Sequence, residues 1–326
     1  MAKRRDRTLD LLDEIAALAG RSLESSDLAL LEKALGDKSN LVAAAAVKRL
    51  EETGDRAWLE RLQAVFWRFL DNPIKTDPGC VAKLAVVKAL QKWEAEAADL
   101  YRRGISHVQP EPVRGGTEDT AAELRGQCLV GLVALGDRES MFWAVPLLVD
   151  PEPETRFLAV QALGQTGVEA AELLLRMKAH GQEEDARVTG ACFSALLQLN
   201  PDRSLAFVAG FLKQARVDLV EAAAIALGES RLPEAWPYLQ ACWDDHLDPR
   251  IRTALLLPIA LLRTEEAIAF LLGLIAQENA PYAATTIQAM GIFHGDQAIY
   301  TQVAEAVAIH PSPEKNRAFE RYFEDA

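Results

Sequence analysis

Positive charge is the scarce half of this 326-residue chain: 35 Lys and Arg stand against 48 Asp and Glu, a formal net charge of −13. A chain whose main work was gripping phosphate backbones would carry the opposite balance. Nucleic acid is therefore not the expected partner, and the short basic start Lys3-Arg4-Arg5 does not change that. A protein partner of basic character suits such a surface better. Cysteine is scarce as well: Cys80, Cys128, Cys192 and Cys242 are widely spaced and form no CxxC pair. That argues against a disulfide or zinc framework and for a reducing compartment. No run of about 18 apolar residues occurs, so no membrane-spanning helix is expected. Met1 to Asp10 lack the apolar stretch that a signal peptide needs. The expectation is a soluble, cytoplasmic protein.

Catalytic signatures are missing too. The histidines are His107, His180, His246, His294 and His310, and none belongs to an HExxH motif. There is no Walker A run, no GxGxxG opening a helix after a strand, and no GxSxG. The nearest approach to a metal site is Cys242-Trp243-Asp244-Asp245-His246-Leu247-Asp248. Its acids stand just before a predicted helix, where they read more simply as caps. No catalytic residue, no cofactor and no metal is assigned, and a non-enzymatic role is expected over an enzymatic one.

What the chain has in abundance is Ala and Leu with a repeating beat. Arg125, Arg156 and Arg187 lie 31 residues apart, and Ala191, Ala195 and Leu196 recur 31 residues later as Ala222, Ala226 and Leu227. Self-similarity at this period marks an array of stacked supersecondary units. From Asp137 onward helix pairs are predicted at 138–149 with 154–166, 168–179 with 185–199, 202–214 with 218–229, 233–243 with 249–262, and 265–277 with 281–293. A helix at 296–308 then pairs with the terminal segment. Gly167, Asn200-Pro201, Pro233 and Asp248-Pro249 punctuate the joints. Earlier helices are predicted at 8–19, 26–35, 40–53, 56–70 and 80–101. The second helices can be followed through Leu50, Leu90 and Leu132, at intervals of 40 and 42 residues. The second of these long intervals has a visible source in GISHVQPEPVRGG, which has no helical stripe and reads as an inserted loop at 104–118.

Each second helix tends to open with an acidic residue, followed six later by a basic one and then an A-x-x-AL run. The pairs are Asp119 with Arg125, Asp150 with Arg156 and, more loosely, Asp77 with Lys83. In this the chain resembles the HEAT-like repeat superfamily, in particular the short bacterial repeats of phycobilisome lyases. The resemblance implies an all-α fold, a right-handed α-solenoid of about eight helix pairs over residues 40–310, with helical caps at 1–39 and 311–326. It also implies an inner ladder carried by Asp150, Arg156 and Arg125. No His-Glu pair suggests a di-iron site of the kind found in HEAT-type hydroxylases. The function expected is a scaffold binding a protein partner through its concave face, an acidic edge and the loop 104–118. The alternative implied by the family is a bilin lyase-like or chaperone subunit acting on a tetrapyrrole-bearing protein, and a HEAT-fold DNA glycosylase ranks third.

The acidic edge is expected because helix-start acids stack at the repeat period. Asp150, Glu152 and Glu154, then Glu183, Glu184 and Asp185, then Asp218, then Asp245 and Asp248 would align along one edge. The candidate partner-binding residues are His107, Gln109, Glu111 and Arg114 in the loop, with Asp119, Arg125, Asp150, Arg156, Glu184 and Arg187 beside it. Were the loop catalytic, His107 with Glu111 would be its acid/base pair. Trp58 and Trp67, nine residues apart on one predicted helix, fall on opposite faces, so one of them should be exposed.

Overall fold

The computed structural model describes residues 2–181, 183–277 and 281–324, with side chains from residue 7 onward. The described chain is predominantly helical, with one short hairpin as its only strands, and forms two compact units, residues 1–166 and 167–326. Unit 1 contains α1 (Ala2–Ala16), α2 (Ser25–Leu35), α3 (Asn40–Glu51), α4 (Leu59–Phe69), α5 (Pro73–Thr76), α6 (Val81–Lys92), α7 (Ala98–Ile105), α8 (Ala122–Ala134), α9 (Ser140–Leu147) and α10 (Pro153–Gly164). A hairpin of β1 (Pro110–Val113) and β2 (Gly116–Asp119) separates α7 from α8. Unit 2 contains α11 (Glu169–His180), α12 (Ala186–Leu199), α13 (Pro201–Ala209), α14 (Val217–Ser230), α15 (Trp236–Asp245), α16 (Pro249–Leu262), α17 (Glu265–Ala276), α18 (Ala283–Met290), α19 (Gln297–Ile309) and α20 (Pro313–Phe319).

In each unit the second helices of the pairs form a continuous inner layer. In unit 1, α3 packs on α6, α6 on α8, and α8 on α10; in unit 2 the row is α12, α14, α16, α18, α20. The other helix of each pair covers this layer from one side. The Ala/Leu richness of the second helices follows from this placement, because they are buried against partners on several sides. On α14 the buried positions are Val220, Ala223, Ala224, Ala226, Leu227 and Gly228. Small residues let the backbones approach. A Cβ on Gly228 would stand 2.2 Å from the Pro258 carbonyl oxygen on α16, so only glycine fits this crossing.

Two sequence expectations change. The helix predicted over 80–101 is two helices: α6 stops at Lys92, Glu94 takes the left-handed conformation at φ 48°, and α7 starts at Ala98. The Ala95 N–H closes the end on the Leu90 carbonyl, and the Trp93 indole N–H donates to the Glu51 carbonyl at 3.0 Å. Tertiary anchoring of Trp93 thus ends a helix that neither glycine nor proline marks. The separate α7 packs on α8 and is the first-helix partner that the sequence reading folded into its predecessor. The helix expected over 56–70 begins as a 3-10 turn, Arg56–Trp58, before α4. Its Trp58 is buried and Trp67 exposed, as the spacing requires.

Candidate functional site

Two long connections in unit 1 lie before successive second helices. The one before α6 holds α5 and a 3-10 turn, Pro78–Cys80, with Asn72, Gly79 and Cys80 all at positive φ. This insertion accounts for the 40-residue interval from Leu50 to Leu90. The one before α8 is the predicted loop, and it is ordered. Gly104 and Ile105 still belong to α7, and the insertion builds an antiparallel hairpin with Val113 paired to Gly116. The two-residue turn is Arg114-Gly115, with Gly115 at φ 102°, a conformation that favours glycine.

The two insertions grip each other through Glu111 and, most centrally, through Gln109. Its Nε2 donates to the Asp77 carbonyl at 2.8 Å and to Glu111 Oε1 at 2.7 Å. With its nitrogen committed to acceptors, its oxygen must accept, so His107 donates from Nε2 at 3.0 Å. Glu111 Oε1 also receives the Gly79 N–H and the Thr120 hydroxyl, each at 2.7 Å. Partial burial works to raise the Glu111 carboxyl, but these donors outweigh it and hold it below the usual carboxylate range.

Beneath the grip lie two ion-pair clusters. Asp77 and Lys83 are both 0% exposed, with Nζ 2.8 Å from Oδ2. Asp77 also accepts from the Ala82 and Lys83 N–H groups and from Asn40 Nδ2 on α3, while Lys83 Nζ reaches the Phe69 carbonyl. Arg125 bridges two connections: Nη1 donates to Asp119 at 2.5 Å and to the His107 carbonyl, and Nε and Nη2 hold Asp150 bidentately at 2.9 Å each. Burial tends to lower the Arg125 guanidinium, but Asp150 and Asp119 more than reverse it. Burial would raise Asp119, yet the Gln109 and Ala121 N–H groups and Arg125 keep it low. Burial drives His107 the other way, below its ordinary value, against the opposing pull of Gln109. Burial also pushes the neighbouring Cys80 thiol up to about 12.

This geometry corrects several expectations. His107, Gln109 and Arg125 are buried, so they cannot touch a partner directly; their work is to fix the hairpin. His107 and Glu111 are not an acid/base pair, because the Gln109 amide stands between them and bonds both. Glu111, Asp119 and Asp150 are half-buried and engaged internally, while Arg156, also half-buried, donates to the Asp150 and Pro151 carbonyls at 2.9 Å each. Arg114, at the hairpin tip, is exposed, as are Val108 at 59% and Val113 at 45%. Glu184 and Arg187 belong to unit 2 and are exposed. Asn40, Thr120 and Thr155 are participants that sequence reasoning passed over. Thr155 links α10 to α8 through the Ala122 carbonyl at 2.9 Å, and nothing in its local sequence signals this.

In unit 2 the aspartates at three successive inner-helix starts are paired with arginines, and two of them are caps. Asp185 caps α12 and binds Arg187, Asp248 caps α16 and binds Arg250, and Arg216 binds Asp218 at the start of α14. The expected acidic edge is thus crossed by an arginine at each of these three steps. His246 Nε2 and Cys242 Sγ both turn to the Leu212 carbonyl. Among the described residues no three His, Cys, Asp or Glu side chains converge as a metal site would need. Nor is any described helix long and apolar enough to cross a membrane.

No family model matches the chain, and no curated protein matches its sequence. Among solved structures it is similar to human deoxyhypusine hydroxylase in complex with glycerol. The identity is 18%, 80% of this chain and 91% of that chain are covered, and the TM-score is 0.32. A superposition this loose carries no argument about chemistry, and the site stands on its own geometry.

Proposed function

We propose that this chain is a non-enzymatic scaffold of HEAT-like repeats that holds a protein partner along the edge of unit 1 where the second helices begin. One observation carries the reading. The polar side chains at the root of the hairpin are bonded to one another, while its outer surface, with Val108, Val113, Arg114, Thr117 and Glu118, is exposed. Internal bonding of that density serves to hold a projecting element in place, and a fixed projection with exposed apolar residues is suited to recognition. The acid and base six residues apart, Asp119 with Arg125 and Asp150 with Arg156, are the feature by which the chain resembles the short bacterial HEAT-like repeats, and the bond from Arg125 to Asp150 joins one such pair to the next. Residues 40–310 would form the working array, with 1–39 and 311–326 as caps. The excess of acid favours a basic partner, and four buried, unpaired thiols suit a reducing, cytoplasmic setting.

The test is affinity capture from the native cell with the full chain, against a variant in which residues 112–117 are replaced by a Gly-Ser bridge. The variant should keep its helical circular dichroism and lose the captured protein. Capture that survives the replacement removes the hairpin from the reading. Capture insensitive to salt removes the electrostatic part.

A further inference from the structure

The hairpin is a two-stranded sheet whose outer edges are chemically unlike. The register pairs Pro110 with Asp119, Glu111 with Glu118, Pro112 with Thr117 and Val113 with Gly116. The Thr120 N–H donates to the Gln109 carbonyl at 3.1 Å, so this pair is a hydrogen-bonded one. By alternation the groups pointing across the ladder belong to Gln109, Glu111 and Val113 on one side and to Gly116, Glu118 and Thr120 on the other. The outer edge of β1 therefore falls to Pro110 and Pro112, which have no N–H to offer. The outer edge of β2 falls to Thr117 and Asp119, each of which turns an N–H and a C=O away from β1. Proteins commonly blunt exposed strand edges with proline, and here only one of the two edges is blunted.

Charge then selects the occupant. Glu111 and Glu118 stand directly opposite each other, an arrangement that destabilises a strand pair. Glu111 is compensated by Gln109, Thr120 and Gly79. Glu118 is exposed, and its carboxylate has no hydrogen-bond donor or cation among the described residues. A cation on an added strand would sit beside it.

We propose that an extended basic segment of a partner protein adds to the outer edge of β2 as a third strand. It would bond the backbone of Thr117 and Asp119 and set a Lys or Arg opposite Glu118. This rests on the scaffold reading above and names its mode of contact. The edge is short, so the added strand gives direction and register to a larger contact.

The test uses the full-length protein and a fluorescein-labelled peptide, Thr-Val-Lys-Val-Thr, with a Glu-centred peptide for comparison. The Lys peptide should bind with a Kd below about 1 mM and the Glu peptide at least about fivefold more weakly. Thr117→Pro removes an outward N–H and leaves the β1 ladder intact, and it should weaken binding about tenfold or more. Protection of the Glu118 amide from exchange confirms that the hairpin persists in that variant. Glu118→Lys should reverse the preference to the Glu peptide, and this reversal serves if Thr117→Pro disturbs the hairpin. Failure of the Lys peptide to bind at about 1 mM overturns the proposal. So does equal binding of the two peptides, or unchanged affinity in a Thr117→Pro protein with its hairpin intact. If the Gly-Ser replacement loses the cellular partner while Thr117→Pro retains it, strand addition fails and the scaffold reading survives.

Discussion

Unit 1 and unit 2 place an aspartate at the start of three successive inner helices, yet the two sets behave differently. In unit 1 these are Asp77, Asp119 and Asp150; in unit 2 they are Asp185, Asp218 and Asp248. The basic residue that follows in unit 1 lies six positions on, at Lys83, Arg125 and Arg156, the third or fourth residue of its helix, with Lys83 and Arg125 buried and Arg156 half-buried. In unit 2 the basic partner lies two positions away, after the aspartate at Arg187 and Arg250 and before it at Arg216, in or beside the first turn and turned to solvent. Side-chain exposure is 4% for Arg125 and 60% for Arg187. A cap with a basic residue at six becomes an internal girder once an insertion covers it. The same cap with a basic residue at two remains a surface ion pair. Both insertions lie in unit 1, over Asp77–Lys83 and Asp119–Arg125; Asp150 and Arg156 have none above them and stay half-buried.

The largest test of this contrast is Asp77→Ala. It leaves Lys83 buried without its counter-charge and should cost about 3–5 kcal/mol. Replacing both partners with Asp77→Leu and Lys83→Met should cost clearly less than the single change, since no charge is then stranded. In unit 2, Asp185→Ala removes one helix cap and should cost about 1 kcal/mol. Urea unfolding of the whole chain measures all three. Equal costs for Asp77→Ala and Asp185→Ala would show that burial does not separate the units.

The next test concerns pH and His107. Burial lowers its folded pKa, so the unfolded chain binds the proton more readily. For a base shifted this way, stability is full above the ordinary histidine pKa of about 6.5 and is lost as pH falls from there toward the folded value. The urea midpoint of the wild-type protein should therefore fall between about pH 7 and pH 5 more than that of His107→Gln. Asp119 and Glu111 act in the same direction at lower pH. Their lowered folded pKa values add stability above the ordinary carboxylate range of about 4, and it is lost as pH falls through the folded values. Identical pH profiles for wild type and His107→Gln would place the histidine outside the network.

Much of the helix layout was legible, because Ala/Leu periodicity reports burial against a neighbouring helix and Pro or Gly reports the joints. What the sequence hid was local structure imposed by distant contacts. Trp93 ends α6 by reaching Glu51, 42 residues away. The hairpin contains two prolines and so reads as loop, although both fall where no ladder N–H is needed. The site was legible in composition and not in role. His107, Gln109 and Arg125 stood out as polar residues at an interruption, but a linear reading cannot tell a side chain offered to a partner from one spent on its own scaffold. Asp77 with Lys83 looked the loosest of the six-residue pairs and is fully buried: Asn72-Pro73 and Pro78-Gly79 mark the connection above it as turns, but nothing in a turn signal says what the turn covers.

The smallest predicted effect bears hardest on the comparison. Arg125, Arg156 and Arg187 keep a 31-residue beat, which by itself would assign them one role. Helix position divides them: Arg125 and Arg156 are the fourth residues of α8 and α10, whereas Arg187 is the second of α12. Arg125→Ala strips a buried guanidinium from Asp119 and Asp150 and should cost about 3–5 kcal/mol, with loosening of the hairpin that Arg125 supports through the His107 carbonyl. Arg187→Ala removes an exposed arm from a cap whose backbone bond, from the Arg187 N–H to Asp185, survives the change. Its cost should stay within about 0.5 kcal/mol. A loss at Arg187 matching that at Arg125 would mean the beat outranks helix position, and the distinction between girder and surface pair would have to be abandoned.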